Sequence, residues 1–204
     1  MRIGYGWDSH EFKKGVPLNI GGVLLPNKRG LAGHSDGDVL LHALTDALLG
    51  AIAAGDIGTH FPPSDPKWKG ADSATFVREA MRLVTDAGYS VANVDSTLIL
   101  AEPKIGPHAA KLQARVAELL GIAPSAVGIK AKTPEGMGTD DAAIAHVAVL
   151  LLKKSSDERK RATAVEAVPQ PVVDRVVDEV LKDLPEPSKP RKLTTKLDLK
   201  FGFR

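Results

Sequence analysis

Residues 37–55, "GDVLLHALTDALLGAIAAG", constrain the fold more than any other stretch of this chain. Leu40, Leu41, Leu44, Ala47, Leu48 and Ala51 recur at helical spacing, which predicts a strong amphipathic helix starting near Gly37 and stopping at Gly55. Such a stripe has to be laid on a second layer of structure. Asp38, His42 and Asp46, spaced i, i+4, i+8, fall on the opposite stripe. A histidine there is either a solvated surface residue or a ligand facing a cleft.

Around this helix, strand and helix patterns alternate as far as about Lys154. "RIGYGWDS" and the glycine-turned pair "PLNIGGVLLP" read as strands. "IGTHFPPSDPKWKGA" reads as a turn-rich loop, and "DSATFVREAMRLVTDAG" as a second helix with Asp72 or Ser73 as N-cap and Gly88 at its close. A strand, "VANVDSTLILA", precedes a third helix, "PHAAKLQARVAELLG", with Pro107 near its first turn. "AVGIKAK" and "AAIAHVAVLLL" are strands on either side of the turn "TPEGMG". The expected fold is α+β, a mixed sheet with three main helices packed on it.

Bulk properties exclude several classes of function. With no cysteine among 204 residues, disulfides, thiolate nucleophiles and cysteine zinc sites are ruled out. A net charge of +2 advertises neither a nucleic-acid nor a membrane partner. "MRIGYGWDSH" lacks an apolar signal core, and the longest apolar run, "AAIAHVAVLLL", is too short to span a bilayer. A cytoplasmic protein is expected.

From Ser155 to Arg204 the composition shifts, with five prolines, one glycine and many charges, as in a linker. Within it, valines and leucines at 172, 173, 176, 177, 180, 181 and 184 make a short apolar stripe between Pro171 and Pro185. The organisation expected is a domain over residues 1–154 and an extension over 155–204 with a short helix near 171–184. The sequence names no partner for that helix.

The chemistry concentrates in two places. In "GWDSH" the side chains of Asp8 and His10 share one face of a strand. Together with His42 they offer one carboxylate and two imidazoles, with His34 close by in "HSDGD". Three ligands leave a coordination position open, as in catalytic zinc sites, and the same set fits non-haem iron. In "KAKTPEGMG", Lys130, Lys132, Thr133 and Glu135 surround a glycine turn. Lysines, a hydroxyl and backbone N–H groups suit phosphate oxygens, and the carboxylate suits Mg²⁺; a solvated turn has the same composition. "LAEPKIG" adds Lys104 at a strand end.

Together, "RIGYGWDSHEF", "IGGVLLP", "GLAGHSDGDVLLHALTDALLGA", "GDIGTHFPPSDPKWKGADS", "NVDSTLILAEPKIGPH" and "IKAKTPEGMG" resemble the 2-C-methyl-D-erythritol 2,4-cyclodiphosphate synthase family over roughly residues 1–153. The resemblance implies Zn²⁺ held by Asp8, His10 and His42, and Mg²⁺ or Mn²⁺ at Glu135. It implies that His34 and Thr133 stabilise the transition state. For a nucleotide-diphosphate substrate it implies contacts from Asp8, His10, His34, Ser35, Asp56, Gly58, Phe61 and Asp65. Further contacts would come from Leu100, Pro103, Lys104, Gly106, Lys132, Thr133 and Glu135. It also implies a homotrimer with active sites between subunits, and a lid at residues 59–71. One departure stands out: after Gly138, "TDDAAIAH" is about two residues shorter than the family pattern and lacks its aromatic residue and arginine. Lys132, where threonine is common, can replace some of that charge. Two rival readings are an iron oxygenase and a metal-stabilised scaffold whose extension recruits a partner.

Overall fold

A computed structural model describes residues 1–155 of the chain; the helix expected near 171–184 lies outside them. Among the described residues seven strands form in chain order: β1 (Arg2–Lys14), β2 (Leu18–Ile20), β3 (Val23–Leu25), β4 (Arg29–Leu31), β5 (Tyr89–Ile99), β6 (Val127–Lys132) and β7 (Ala142–Lys153). Four α-helices accompany them: α1 (Val39–Ala51), α2 (Ile57–His60), α3 (Ala74–Asp86) and α4 (Ala109–Leu120). The main sheet has the order β4-β1-β7-β5-β6, and β2 and β3 form a separate hairpin. Among the described strands only β5 and β6 run parallel; β1 pairs antiparallel with β4 and β7, and β7 with β5. A parallel pair needs a crossover, which α4 supplies. The mixed α+β architecture and its three long helices agree with the sequence expectation. No helix among the described residues is long and apolar enough to cross a membrane.

Period-two alternation decides what each face of β1 meets. Gly4, Gly6, Asp8, His10 and Phe12 face the helical layer, whereas Ile3, Tyr5 and Trp7 point to the other side and are more than half exposed. Gly4 and Gly6 are there for space. A Cβ on Gly4 would lie 1.9 Å from the Ala47 carbonyl oxygen, and one on Gly6 2.2 Å from that of Ala43. Glycines on the strand and alanines on the helix therefore bring the two backbones into direct contact. Two strand residues advance about 6.7 Å and four helical residues about 6.0 Å, so the contacts stay in step as α1 runs antiparallel over β1. One residue before Ala43 on this track, His42 reaches Asp8 and His10.

Several sequence expectations need correcting. α1 spans Val39–Ala51 rather than Gly37–Gly55, and its buried residues lie on every face. It packs on β1, β7, α3 and β2, so the polar stripe inferred from Asp38, His42 and Asp46 is not a solvent face. Asp38 is not on the helix surface but is its fully buried N-cap. Its carboxylate accepts hydrogen bonds from Leu41 N at 3.0 Å and from Gly21 N at 2.8 Å and Gly22 N at 2.6 Å in the β2–β3 turn. Ser73 does occupy the expected N-cap position of α3, but its hydroxyl is used elsewhere, and it is Asp72 Oδ1 that accepts from Ala74 N at 2.9 Å. Pro107 lies in a 3-10 turn at Gly106–His108, before α4 begins. The loop after α1 contains α2, and β4 is a further strand; both are too short for periodicity to reveal.

Candidate metal centre and substrate cavities

Asp8 and His10 come from β1 and His42 from the first turns of α1. Asp8 Oδ2 lies 2.9 Å from His10 Nε2 and 3.0 Å from His42 Nδ1, and those two nitrogens are 2.9 Å apart. Three such atoms converging on one point have the donor set of a metal site, and among the described residues this trio is the cluster able to hold an ion. Burial alone would push Asp8's carboxyl up. Hydrogen bonds from His10 and His42, and their charge, outweigh it and hold Asp8 well below the usual carboxylate range. Burial likewise pushes His10 down, yet the Asp8 carboxylate raises it above its ordinary value of 6.5.

The trio forms one wall of a cavity of about 240 Å³, shared with His34, Ser35, Asp46, Gly58 and Phe61. Its apolar side is an aromatic cluster. Phe61 lies 4.5 Å from Phe76 and 5.0 Å from Trp68, ring centroid to centroid, and Phe76 packs 6.0 Å from His42. Asp56 caps α2 through Thr59 N at 2.8 Å, and Asp46 accepts from Ile57 N at 2.7 Å, so two carboxylates hold this single turn in place. Asp65 sits apart from the cavity wall, bonded to Lys67 N in a 3-10 turn.

A second cavity, about 340 Å³, is lined by Leu100, Pro103, Lys104, Gly106, Lys132 and Thr133. Glu135 hydrogen-bonds Thr133 beside it. Of the residues expected to contact substrate, Asp56, Asp65 and Glu135 line neither cavity, and the rest divide between the two, which share no lining residue within one chain. The loop after Gly138 is pinned at Asp141, whose carboxylate pairs with Arg29 at 2.8 Å and whose carbonyl accepts from Phe12 N at 2.7 Å.

Sequence reasoning missed Trp68, Phe76 and Ser73 as parts of the site. Ser73 Oγ lies 2.8 Å from His42 Nε2, and Ser35 Oγ 2.9 Å from the same nitrogen. Nothing in the local pattern marks a serine 31 positions from its histidine. Trp68 lay within the expected lid segment but was not singled out, and Phe76 carried no signal of its own within the second helix.

The decisive observation is the match of residues 1–153 to the family model described as the YgbB family. The chain belongs to the YgbB family. A relative from Koribacter versatilis, 2-C-methyl-D-erythritol 2,4-cyclodiphosphate synthase, is 66% identical over 154 residues, covering 76% of this chain and 99% of its own. The chloroplastic enzyme of that name from Arabidopsis thaliana is 51% identical, covering 76% of this chain and 68% of its own. A solved structure of 2C-methyl-D-erythritol-2,4-cyclodiphosphate synthase in a CDP-bound form matches at 44% identity with a TM-score of 0.71, covering 74% of this chain and all of that one. The bifunctional IspDF of Campylobacter jejuni also matches, at 35% identity and TM-score 0.72, over 74% of this chain and 42% of its own. The YgbB match ends where the described β7 strand ends, at residue 153.

Proposed function

We propose that the chain converts 4-diphosphocytidyl-2-C-methyl-D-erythritol 2-phosphate to 2-C-methyl-D-erythritol 2,4-cyclodiphosphate with release of CMP. The observation that carries this reading is the Asp8–His10–His42 cluster at the wall of a cavity, in a chain 66% identical to a relative bearing that enzyme's name. An oxygen of the substrate's own 2-phosphate bonds to the β-phosphorus, and the bond from that phosphorus to CMP breaks. The nucleophile is already an anion near neutral pH, so no serine, cysteine or strong base is required. What the protein contributes is positioning and charge neutralisation.

Zn²⁺ suits one carboxylate and two imidazoles whose ligand atoms all lie within 4.8 Å of one another, and Glu135 suits Mg²⁺ or Mn²⁺ at the diphosphate. When bound, such cations supply Lewis-acid stabilisation of the phosphoryl oxygens. His34 and Thr133 flank the reacting phosphates. Asp56 and Gly58 hold the ribose, and the Phe61–Asp65 segment covers the sugar. Leu100 to Gly106 enclose the cytosine, and Lys132 meets the diphosphate. Residues 59–71 close as a lid, and residues 1–154 are the catalytic unit. A cytoplasmic location belongs to the same reading.

The active form is a homotrimer with each active site between subunits. Two features support this: the metal cavity and the Lys104–Thr133 cavity are separate within one chain, and Ile3, Tyr5, Trp7 and Leu152 are exposed. Contiguous apolar surface of this kind is usually covered by a partner. Nothing in the site or the relatives favours the oxygenase or scaffold readings. Purified protein incubated with the diphosphocytidyl substrate should yield CMP and the cyclic diphosphate, followed by phosphorus NMR. Absence of both products, with zinc and magnesium present, refutes the reading.

A further inference from the structure

The ring of His42 touches protein on both of its nitrogens, and the two contacts differ in kind. Nδ1 faces Asp8 and His10, whereas Nε2 lies 2.8 Å from Ser73 Oγ. Ser73 is fully buried. Its hydroxyl also hydrogen-bonds Asp36 Oδ1, and its backbone N–H donates to Asp36 Oδ2 at 3.2 Å.

The direction of every proton in this chain follows from donor and acceptor chemistry. An ionised carboxylate only accepts, so the Ser73 hydroxyl must donate to Asp36. Having spent its one proton, Ser73 Oγ can only accept from His42. Nε2 therefore carries the imidazole's proton and Nδ1 keeps its lone pair, which is the tautomer a ligand at Nδ1 requires. Ser35 Oγ, 2.9 Å from the same nitrogen, can share that proton, but among the described residues no carboxylate stands behind it.

We infer that Ser73 and Asp36 are positioning residues for the metal, an inference that rests on the metal reading above: the Asp36–Ser73–His42 relay locks the imidazole in the Nε2–H tautomer and raises its basicity as a ligand. Partners of this type behind a ligating histidine are typically worth about 10–100-fold in metal affinity. The same bonds fasten two loops together. Gly70 N donates to His34 O at 2.8 Å and Asp36 N to Ala71 O at 3.1 Å, alongside the Asp36–Ser73 clamp. The segment leading into α3 is thereby tied to the loop that carries His34 and Ser35, and the metal ligand sits at the junction.

The test uses the full chain and zinc alone, by competition against a chromophoric chelator. Ser73→Ala should weaken zinc binding by about 10–100-fold. Asp36→Asn, which keeps an oxygen for the Ser73 proton, should lose less than Asp36→Ala. The double variant Ser73→Ala/Asp36→Ala should be no worse than about the worse single change, because the two act through each other. Independently of any variant, long-range ¹H–¹⁵N NMR of the zinc-loaded wild type should show His42 protonated on Nε2 only, with a proton slow to exchange. Wild-type affinity in a folded Ser73→Ala variant, or a larger loss from Ser35→Ala than from Ser73→Ala, would each overturn the relay and leave the metal reading intact, whereas a proton on Nδ1 of the zinc-loaded protein would overturn both, because a protonated nitrogen cannot be a ligand. A wild type that binds no zinc overturns both.

Discussion

Replacing Asp38 by alanine tests the joint on which the α1 layer hangs. The carboxylate is fully buried and accepts three backbone N–H groups, from Leu41 in the first turn of α1 and from Gly21 and Gly22 in the β2–β3 turn. Losing the helix cap costs about 1 kcal/mol. Each of the two turn N–H groups left without an acceptor costs roughly 1–3 kcal/mol. One effect opposes these: burial, with the neighbouring Asp36 charge, pushes Asp38's carboxyl up, so deleting it also relieves a desolvation cost. The net expectation is a loss of about 3 kcal/mol. At about 2–4 °C per kcal/mol for a chain of this size, Tm should fall by about 6–12 °C. Circular dichroism melts must be run at one fixed subunit concentration, since assembly shifts Tm by mass action. Asp38→Asn should sit between wild type and Asp38→Ala, because its amide oxygen can serve Leu41 and Gly21 while its NH₂ is set against the Gly22 N–H. A drop smaller than about 3 °C for Asp38→Ala would show that the hairpin turn is not held by this carboxylate, and the reasoning would fail.

Gly4→Ala should abolish soluble expression, since its Cβ would fall 1.9 Å from the Ala47 carbonyl oxygen; normal yield and melting would refute direct backbone packing of α1 on β1. In metal-free protein the raised His10 stabilises folding fully below pH 6.5 and less as pH rises through its folded value, while the depressed Asp8 contributes above 3.8 and loses that contribution as pH falls. Denaturant melts of metal-free protein should therefore show the pair's full contribution only between those two values, and His10→Ala should flatten the upper limb. Mixing His42→Ala and Glu135→Ala subunits by joint refolding should recover activity at about 25% of sites if each site spans two subunits, by independent pairing in a cyclic assembly; activity no higher than either single variant, with mixed trimers confirmed by mass, would place each site within one chain. A chain ending at Lys154 should fold and release CMP at a similar rate, and failure to fold would show that the extension covers the domain.

Much of the candidate site was readable before any coordinates. Strand alternation put Asp8 and His10 on one face, and the residue types pointed to a metal. The order of ordered motifs from "RIGYGWDSHEF" to "IKAKTPEGMG" pointed to the family. Spacing alone left His42 open as a surface residue or a ligand; its residue type beside Asp8 and His10 suggested a ligand, and the resemblance assigned it to zinc. Asp38 was misjudged for the same reason: helical spacing ranks the faces of α1 against one another but says nothing about a hairpin turn packing on its first turn.

What the sequence by itself determined was local. Spacing of 3.6 and 2 residues marked α1, α3, α4 and the long strands, and glycines marked the ends of α3 and α4, because those preferences arise between near neighbours. The tertiary structure decided which faces meet. Gly4 and Gly6 against Ala43 and Ala47 let α1 close on β1, and that one approach sets His42 over Asp8 and His10. The closure of α3 against α1 then carries Ser73 to the far side of the same imidazole, where it meets Asp36 of the loop before α1. Long-range packing joins residues 31 to 34 positions apart, and no local preference encodes such a meeting.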